Sequence, residues 1–162
     1  ECLAYTDSAL GDLVDSLKRS DVWNDLLLIV IPDHGYLYGQ SYEDEGYFHA
    51  PMLWLGGAVA QRQTIHTLMS QSDLAATLLD QLDLPPEDYP YSRNVMHPDC
   101  PRFVYSTFPS GIMYADSTGT TVYDITSDKV ISSSPSPSER RLFLAKRLLQ
   151  QSYSALDNME KR

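Results

Sequence analysis

Apolar residues near the start of the chain recur with the period of a helix. Leu10, Leu13, Val14 and Leu17 fall on one side of a 3.6-residue repeat, and the acids Asp12 and Asp15 lie between them. This pattern predicts an amphipathic helix over residues 4–17 whose apolar face packs against other structure.

Two short apolar segments follow this helix. The run "LLLIVI", residues 26–31, is apolar at every position and ends at Pro32. Such a run is typical of a central parallel strand that is covered on both faces. The run "PMLWLGG", residues 51–57, predicts a second strand, and "SQSDLAATLLDQLDL" after it predicts a helix capped by Ser70 or Ser72, with Asp73 as an early acid that complements the helix dipole.

The pattern changes after residue 84. Residues 85–101 are rich in proline and polar side chains and sustain neither a helical nor a strand period. Between Phe103 and Ile125, three short runs rich in β-branched and aromatic residues are separated by glycine turns, which predicts an antiparallel β-meander. The serine- and proline-rich stretch "SSSPSPSE" then precedes a final helix that begins at about Glu139.

These elements together predict the fold class and the domains. The class is α/β, with a mostly parallel sheet and flanking helices, followed by a small antiparallel β-meander and a C-terminal helix. Residues 1–95 form the first predicted domain and residues 96–162 the second.

Composition and charge exclude several classes of partner. The 12 basic and 22 acidic residues give a net charge of −10, which repels nucleic acid, and no basic patch offsets it. No apolar run approaches the ~20 residues of a membrane span. The two cysteines, Cys2 and Cys100, match neither a disulfide framework nor a zinc cluster. The first residue is not methionine, so we expect a piece of a longer protein.

The first predicted strand runs into a chemically notable tripeptide, Asp33-His34-Gly35. Reactive groups in α/β proteins collect beyond the carboxyl ends of strands. A carboxylate beside a neutral imidazole can bind a divalent cation, and the glycine permits a tight turn. A turn cap at Asp33 and a surface position for His34 would explain the same three residues, so the motif needs its context.

That context resembles a known family. The segments "VWNDLLLIVIPDHG", "FHAPMLWLGG" and "SQSDLAATLLDQL" resemble, in this order, the C-terminal part of the catalytic domain in the alkaline phosphatase superfamily. Within the superfamily, they resemble the sulfatase-like branch, which includes lipoteichoic acid synthases and phosphoethanolamine transferases, and the resemblance covers residues 5–94. It implies that Asp33 and His34 are ligands of a divalent metal ion, which could be Mn, Zn, Ca or Mg.

His49 lies in the loop that leads to the second strand. The resemblance implies a contact with a second metal or with the substrate, and simple packing is the alternative. His66 and His97 have no partner at motif spacing and are interpreted as ordinary surface or packing residues.

The loop between the two strands is acidic and aromatic. Its acids, Glu43 to Glu45, do not have the spacing of an EF-hand and are interpreted as a solvated loop tip. Its tyrosines could line a substrate entrance or cover a sheet edge, and they are Tyr36, Tyr38, Tyr42 and Tyr47.

The resemblance also implies what these residues do not supply. The nucleophile and the remaining metal ligands of the family precede the Asp-His-Gly motif, so no catalytic nucleophile is assigned here, and the isolated chain is expected to be inactive. The implied parent is a membrane-anchored, extracytoplasmic sulfatase or phosphotransferase acting on a small-molecule, lipid or glycan ester, with the upstream half of its own domain as partner. The alternatives are a phosphoglycerate mutase or phosphodiesterase of the same superfamily, or a non-catalytic α/β binding module.

Overall fold

The structure is a computed structural model that describes residues 2–35 and 41–160. The chain divides into two compact units, of which unit 1 comprises Glu1–Gly35 and Ala50–Ile65, and unit 2 comprises Tyr36–His49 and His66–Arg162. These units follow spatial contacts and differ from the domain boundary expected at residue 95. The assignment of residues 1–95 to a catalytic domain stays a prediction.

Unit 1 begins with the predicted amphipathic helix. Helix α1 spans Cys2–Lys18 and contains no fully buried residue. Leu10, Val14 and Leu17 on the predicted apolar face are half-buried, whereas Leu3 and Tyr5 are largely exposed. The periodicity therefore located the helix correctly, and its apolar face is only partly covered within the described residues.

The two predicted strands of unit 1 pair with each other. Strand β1 spans Leu28–Val30 and strand β2 spans Leu53–Leu55, and they run antiparallel with Ile29 opposite Trp54. The sequence had predicted a parallel, fully covered strand, yet β1 is half-buried and has β2 as its neighbour in the described sheet. An unbroken apolar run reports that a strand is shielded from water, but it carries no information about the direction of its neighbour.

Two glycines after β2, Gly56 and Gly57, pack against the segment that precedes β1. Gly56 has a φ of +117°, and a Cβ atom there would lie 2.0 Å from the carbonyl oxygen of Leu26. The Gly57 amide donates to the carbonyl of Trp23 at 2.8 Å. Because only glycine combines this φ with so close an approach, Gly56 fixes the turn after β2 against the start of β1.

In unit 2 the serine-capped helix forms as predicted. A 3-10 turn over Gln71–Asp73 leads into helix α2, which spans Leu74–Gln81. Ser70 is the cap residue, and its amide donates to the Asp73 carboxylate at 3.0 Å in a capping box. The Ser70 hydroxyl also bonds the backbone of Tyr105, so the same residue attaches the helix start to the following sheet.

The meander contains four strands in sequential antiparallel order. They are β3 (Phe103–Phe108), β4 (Gly111–Asp116), β5 (Gly119–Asp124) and β6 (Lys129–Ser134). The sequence pattern predicts the first three strands, and by the same pattern the serines of β6 belong to a break. Those serines have little strand propensity of their own, and pairing with β5 supplies the backbone hydrogen bonds that hold them extended.

The main core lies between this sheet and the C-terminal helix. Helix α3 spans Glu139–Glu160, in agreement with the predicted start. Ile112, Tyr114 and Tyr123 of the sheet pack against Ala145 and Leu149 of α3. None of the helices in the described parts of the chain combines the length and the apolar character that crossing a bilayer requires.

A buried carboxylate at the end of β4 makes the stability of unit 2 dependent on pH. Burial alone would raise the pKa of Asp116, but hydrogen bonds from Thr118, Arg140 and Tyr114 outweigh it and lower this pKa to about 2. The ionised form is therefore favoured by folding, and its stabilisation is present above about pH 4 and is lost as the pH falls through about 2.

We expect Asp116→Asn to destabilise the protein by at most about 2.5 kcal/mol at pH 6, because the shift in pKa spans nearly two units. The difference from the wild type should shrink steadily between pH 4 and pH 2 in urea unfolding followed by circular dichroism. Asp157→Asn, at an exposed position of α3, is the matched control. A difference that does not vary with pH would contradict this assignment.

Candidate active site

The Asp-His-Gly motif lies just beyond the end of β1. Ile31 and Pro32 continue the chain from the strand, and Asp33 and His34 follow with 91% and 66% of their side chains exposed. Both predicted ligands therefore lie at a strand end, as the sequence indicated, and both are accessible to solvent. The assignment of these residues as metal ligands stays a prediction.

The hydrogen bond of the His34 ring selects one of its tautomers. Nδ1 lies 2.8 Å from the carbonyl oxygen of Gly35. A carbonyl oxygen can only accept, so Nδ1 must carry the proton, and Nε2 of the neutral ring keeps its lone pair. Metal-binding histidines are commonly oriented in this way, with the second ring nitrogen donating to a backbone carbonyl.

The free ring nitrogen is close to the neighbouring carboxylate. His34 Nε2 lies 3.7 Å from Asp33 Oδ1. One ion bound at ~2.0–2.2 Å from each atom would join ligands about 3–4 Å apart, so a single ion could contact both. The pair fits a divalent cation as two neighbouring ligands. Within residues 2–35 and 41–160, no group of three or more His, Cys, Asp or Glu side chains is arranged to hold a metal ion.

His49 belongs to unit 2, whereas Asp33 and His34 belong to unit 1. It is exposed and ends the 3-10 helix Glu45–Phe48, and its amide donates to the carbonyl of Gly46 at 3.2 Å. The prediction that it contacts substrate or a second metal is not tested by these contacts. His66 and His97 are also exposed, and His97 Nδ1 accepts from the Asp99 amide.

The acidic loop is more structured than the solvated tip that the sequence suggested. Asp44 is half-buried and caps the 3-10 helix by accepting from the Gly46 amide at 2.8 Å. Glu45 accepts from the buried Thr120 hydroxyl of β5 at 2.8 Å. The spacing of acids along the chain gave no indication of this contact, because Thr120 lies 75 residues away. Tyr36 and Tyr38 lie outside the described residues.

A cleft of about 500 Å³ lies between the acidic loop and the meander and is lined by residues of both. Its lining includes Glu43, Asp44 and Glu45, together with the hydroxyls of Ser132 and Ser134. The described lining residues include no Lys or Arg, so the cleft would repel a sulfate or phosphate group. It is therefore not the candidate site for an anionic ester.

Sequence reasoning missed an ion pair that organises unit 2, between Asp73 and Arg93. Asp73 is fully buried and pairs with Arg93, whose backbone amide and guanidinium both donate to its carboxylate. The guanidinium also lies 3.8 Å from the centroid of the Phe103 ring. The helix-start position of Asp73 explained its presence sufficiently, and the sequence offered no indication of a partner 20 residues away.

Comparisons with known proteins identify relatives of the N-terminal half of the chain. Residues 1–84 match the family model described as Sulfatase. The chain is 30% identical over 88 residues to arylsulfatase K of Gallus gallus and 30% identical over 83 residues to arylsulfatase K of Canis lupus familiaris. These matches cover 51% and 48% of this chain, and the chain spans 16% of the length of each relative.

A solved structure matches a larger part of the chain. A protein in the alkaline phosphatase superfamily from Vibrio parahaemolyticus superposes with a TM-score of 0.64 over 92% of this chain and 41% of its own, at 21% identity. That likeness confirms the alkaline phosphatase-like α/β fold. The family model covers more than half of the 162 residues, and the chain therefore belongs to the sulfatase family.

Proposed function

We propose that this chain supplies two metal ligands, Asp33 and His34, to the active site of a sulfuric-ester hydrolase. The observation that carries the proposal is the geometry of the pair: His34 Nδ1 donates to the Gly35 carbonyl, which leaves Nε2 free beside the Asp33 carboxylate. The similarity to two arylsulfatases supports sulfate rather than phosphate as the ester.

Each residue of the motif has a distinct task in this proposal. Asp33 supplies the negative charge that compensates a cation, and His34 supplies a neutral nitrogen ligand whose ring is oriented by Gly35. A divalent ion, when bound, stabilises the developing charge on the ester oxygens and lowers the pKa of a nucleophile. Nearly full exposure of Asp33 leaves room for the further ligands that such a site needs.

The nucleophile and the remaining metal ligands lie outside this set of residues. Structural and catalytic sites usually have at least three protein ligands, so the nucleophile and further ligands come from the upstream half of the same domain, and the isolated chain has no turnover. His49 contacts the sulfate group or a second metal. The substrate is a small-molecule, lipid or glycan ester, and the parent is anchored at a membrane and acts outside the cytoplasm.

We predict that this chain binds Zn²⁺ and Mn²⁺ weakly through the motif. Four-ligand zinc sites gain ~10–16 kcal/mol, so two ligands should give roughly half, which corresponds to a dissociation constant from about 1 to 200 μM. Isothermal titration calorimetry measures the affinity, and the His34 imidazole resonances in NMR spectra locate the ion.

The double variant Asp33→Ala, His34→Ala should lose this binding. His66→Ala with Asp80→Ala, which removes one exposed histidine and one exposed acid elsewhere, is the matched control and should retain it. Equal affinity in the wild type and the motif variant would contradict the assignment of the ligands and favour a non-catalytic module. Submicromolar, stoichiometric binding would show instead that the chain completes a site by itself.

Activity requires a protein extended to include the upstream half of the domain. We expect hydrolysis of an aryl sulfate, with slower or no hydrolysis of the matching aryl phosphate, and loss of that activity in the motif variant. Preference for the phosphate ester would instead place the protein with the phosphotransferase or phosphodiesterase members of the superfamily.

A further inference from the structure

We infer that the β-meander positions His49, and that Phe108 at the end of β3 is the positioning residue through which it does so. The inference rests on the function proposed for His49 and adds a role for a part of the chain beyond the residues that match the family model. The contacts that carry it all lie within unit 2.

An aromatic cluster attaches the loop of His49 to the meander. The cluster consists of Tyr42, Tyr47, Phe48 and Phe108. The rings of Tyr42 and Phe108 stack with centroids 4.4 Å apart and an angle of 16° between their planes. Phe48, the residue directly before His49, has its ring centroid 6.1 Å from that of Phe108. Offset stacking of this kind is favourable beyond the burial of the rings themselves.

The backbone of the loop transmits this attachment to His49. The Asp44 amide donates to the Ser41 carbonyl at 3.0 Å, and the Asp44 carboxylate caps the 3-10 helix Glu45–Phe48. The His49 amide then donates to the Gly46 carbonyl. Consecutive turns from Ser41 to His49 leave few free rotations, so fixing the aromatic side chains also fixes the Cα position of His49.

A second contact sets the orientation of the loop. Glu45 accepts a hydrogen bond from the hydroxyl of Thr120, a residue of β5 that is only 8% exposed. Phe108 and Thr120 lie on different strands of the same sheet, so the loop is held at two separate points. Gly111 leaves space for Phe108, because a Cβ atom at that glycine would lie 2.6 Å from the Phe108 ring.

The first test uses the chain itself and compares Phe108→Ala with Phe143→Ala, which removes an exposed phenylalanine of α3. Chymotrypsin should cleave after Tyr42, Tyr47 or Phe48 about tenfold faster in Phe108→Ala than in the wild type, as expected for loss of local stabilisation. The His49 imidazole resonance should shift toward its position in an unstructured peptide, whereas the His97 resonance should not. Phe143→Ala should match the wild type in both measurements.

A second, milder variant tests the same attachment in case Phe108→Ala does not fold. Thr120→Val keeps the shape of the buried side chain and removes the hydroxyl that Glu45 accepts from, so it should shift the His49 resonance in the same direction by a smaller amount. Far-UV circular dichroism checks that each variant is folded. An unchanged His49 resonance and unchanged cleavage in both folded variants would overturn the inference.

The functional test uses the extended, active protein and a double-mutant cycle. Phe108→Ala should lower kcat/KM about tenfold, and this effect should vanish in a His49→Ala background, because Phe108 acts through His49. Independent, multiplicative effects would overturn the positioning role. If His49→Ala alone leaves kcat/KM unchanged, the function proposed for His49 fails, and the NMR and cleavage results still decide whether Phe108 fixes the loop.

Discussion

Replacing Asp73 by alanine is expected to lower the free energy of unfolding by about 3–5 kcal/mol, because it removes the buried carboxylate that pairs with the largely buried guanidinium of Arg93. Asp73 is 0% exposed and accepts from the amides of Ser70 and Arg93, each at 3.0 Å, and from Arg93 Nε at 2.9 Å. The remaining Arg93 would still donate to the carbonyls of Pro101 and Phe103 but would have lost the carboxylate that compensates its charge. Urea unfolding followed by circular dichroism measures the change.

The control for Asp73 is an acid on helix α2, which begins directly after Asp73. Asp80→Ala removes an exposed carboxylate from α2 and should change the unfolding free energy by less than about 0.5 kcal/mol. Replacing the pair together, with Asp73→Leu and Arg93→Met, should be less destabilising than Asp73→Leu alone, because no unpaired charge remains buried. If Asp73→Ala unfolds like Asp80→Ala, the buried ion pair does not stabilise unit 2.

Replacing Arg141 by methionine is expected to cost about 3 kcal/mol, since several acceptors around this buried side chain would lose their donor together. Arg141 is 3% exposed. Its guanidinium donates to the Thr121 hydroxyl at 3.0 Å, to the Thr118 carbonyl at 2.8 Å and to the Ser133 hydroxyl at 3.2 Å. It also donates to the Ser136 carbonyl, so one side chain of α3 connects β5, β6 and the loop before the helix.

Two further variants separate geometry from charge at this position. Arg141→Lys keeps the charge but has a single compact donor group, so it should recover only part of the lost stability. Arg147→Met removes an exposed arginine from the same helix and should be nearly neutral. Thermal unfolding of all three variants under one set of conditions checks the order, and full recovery by lysine would contradict the role of the planar, multidentate guanidinium.

Arg93 and Arg141 bind partners that are distant in the sequence, whereas the correctly predicted elements depend on near neighbours. This contrast shows where local patterns are sufficient to predict structure. Helix α1, the cap at Ser70 and the start of α3 depend on residues a few positions apart, and each was predicted within a few residues of its observed bounds. Strand β6 was missed because "KVISSS" is a weak strand sequence that becomes extended only when β5 pairs with it. The prediction of a parallel β1 was wrong for a similar reason, since the relative direction of β1 and β2 depends on the path of the chain between them.

The candidate site also has features that the local sequence predicts and features that depend on long-range contacts. The sequence by itself determined that Asp33 and His34 follow a strand, because strand, proline and glycine are all local features. Only the tertiary structure decided that Glu45 is held by Thr120 and that the ring of Phe108 stacks on Tyr42, in the loop that leads to His49. Periodicity and capping act within one or two turns of chain, whereas these contacts join residues up to 75 positions apart, and their partners are chosen by packing of the whole unit.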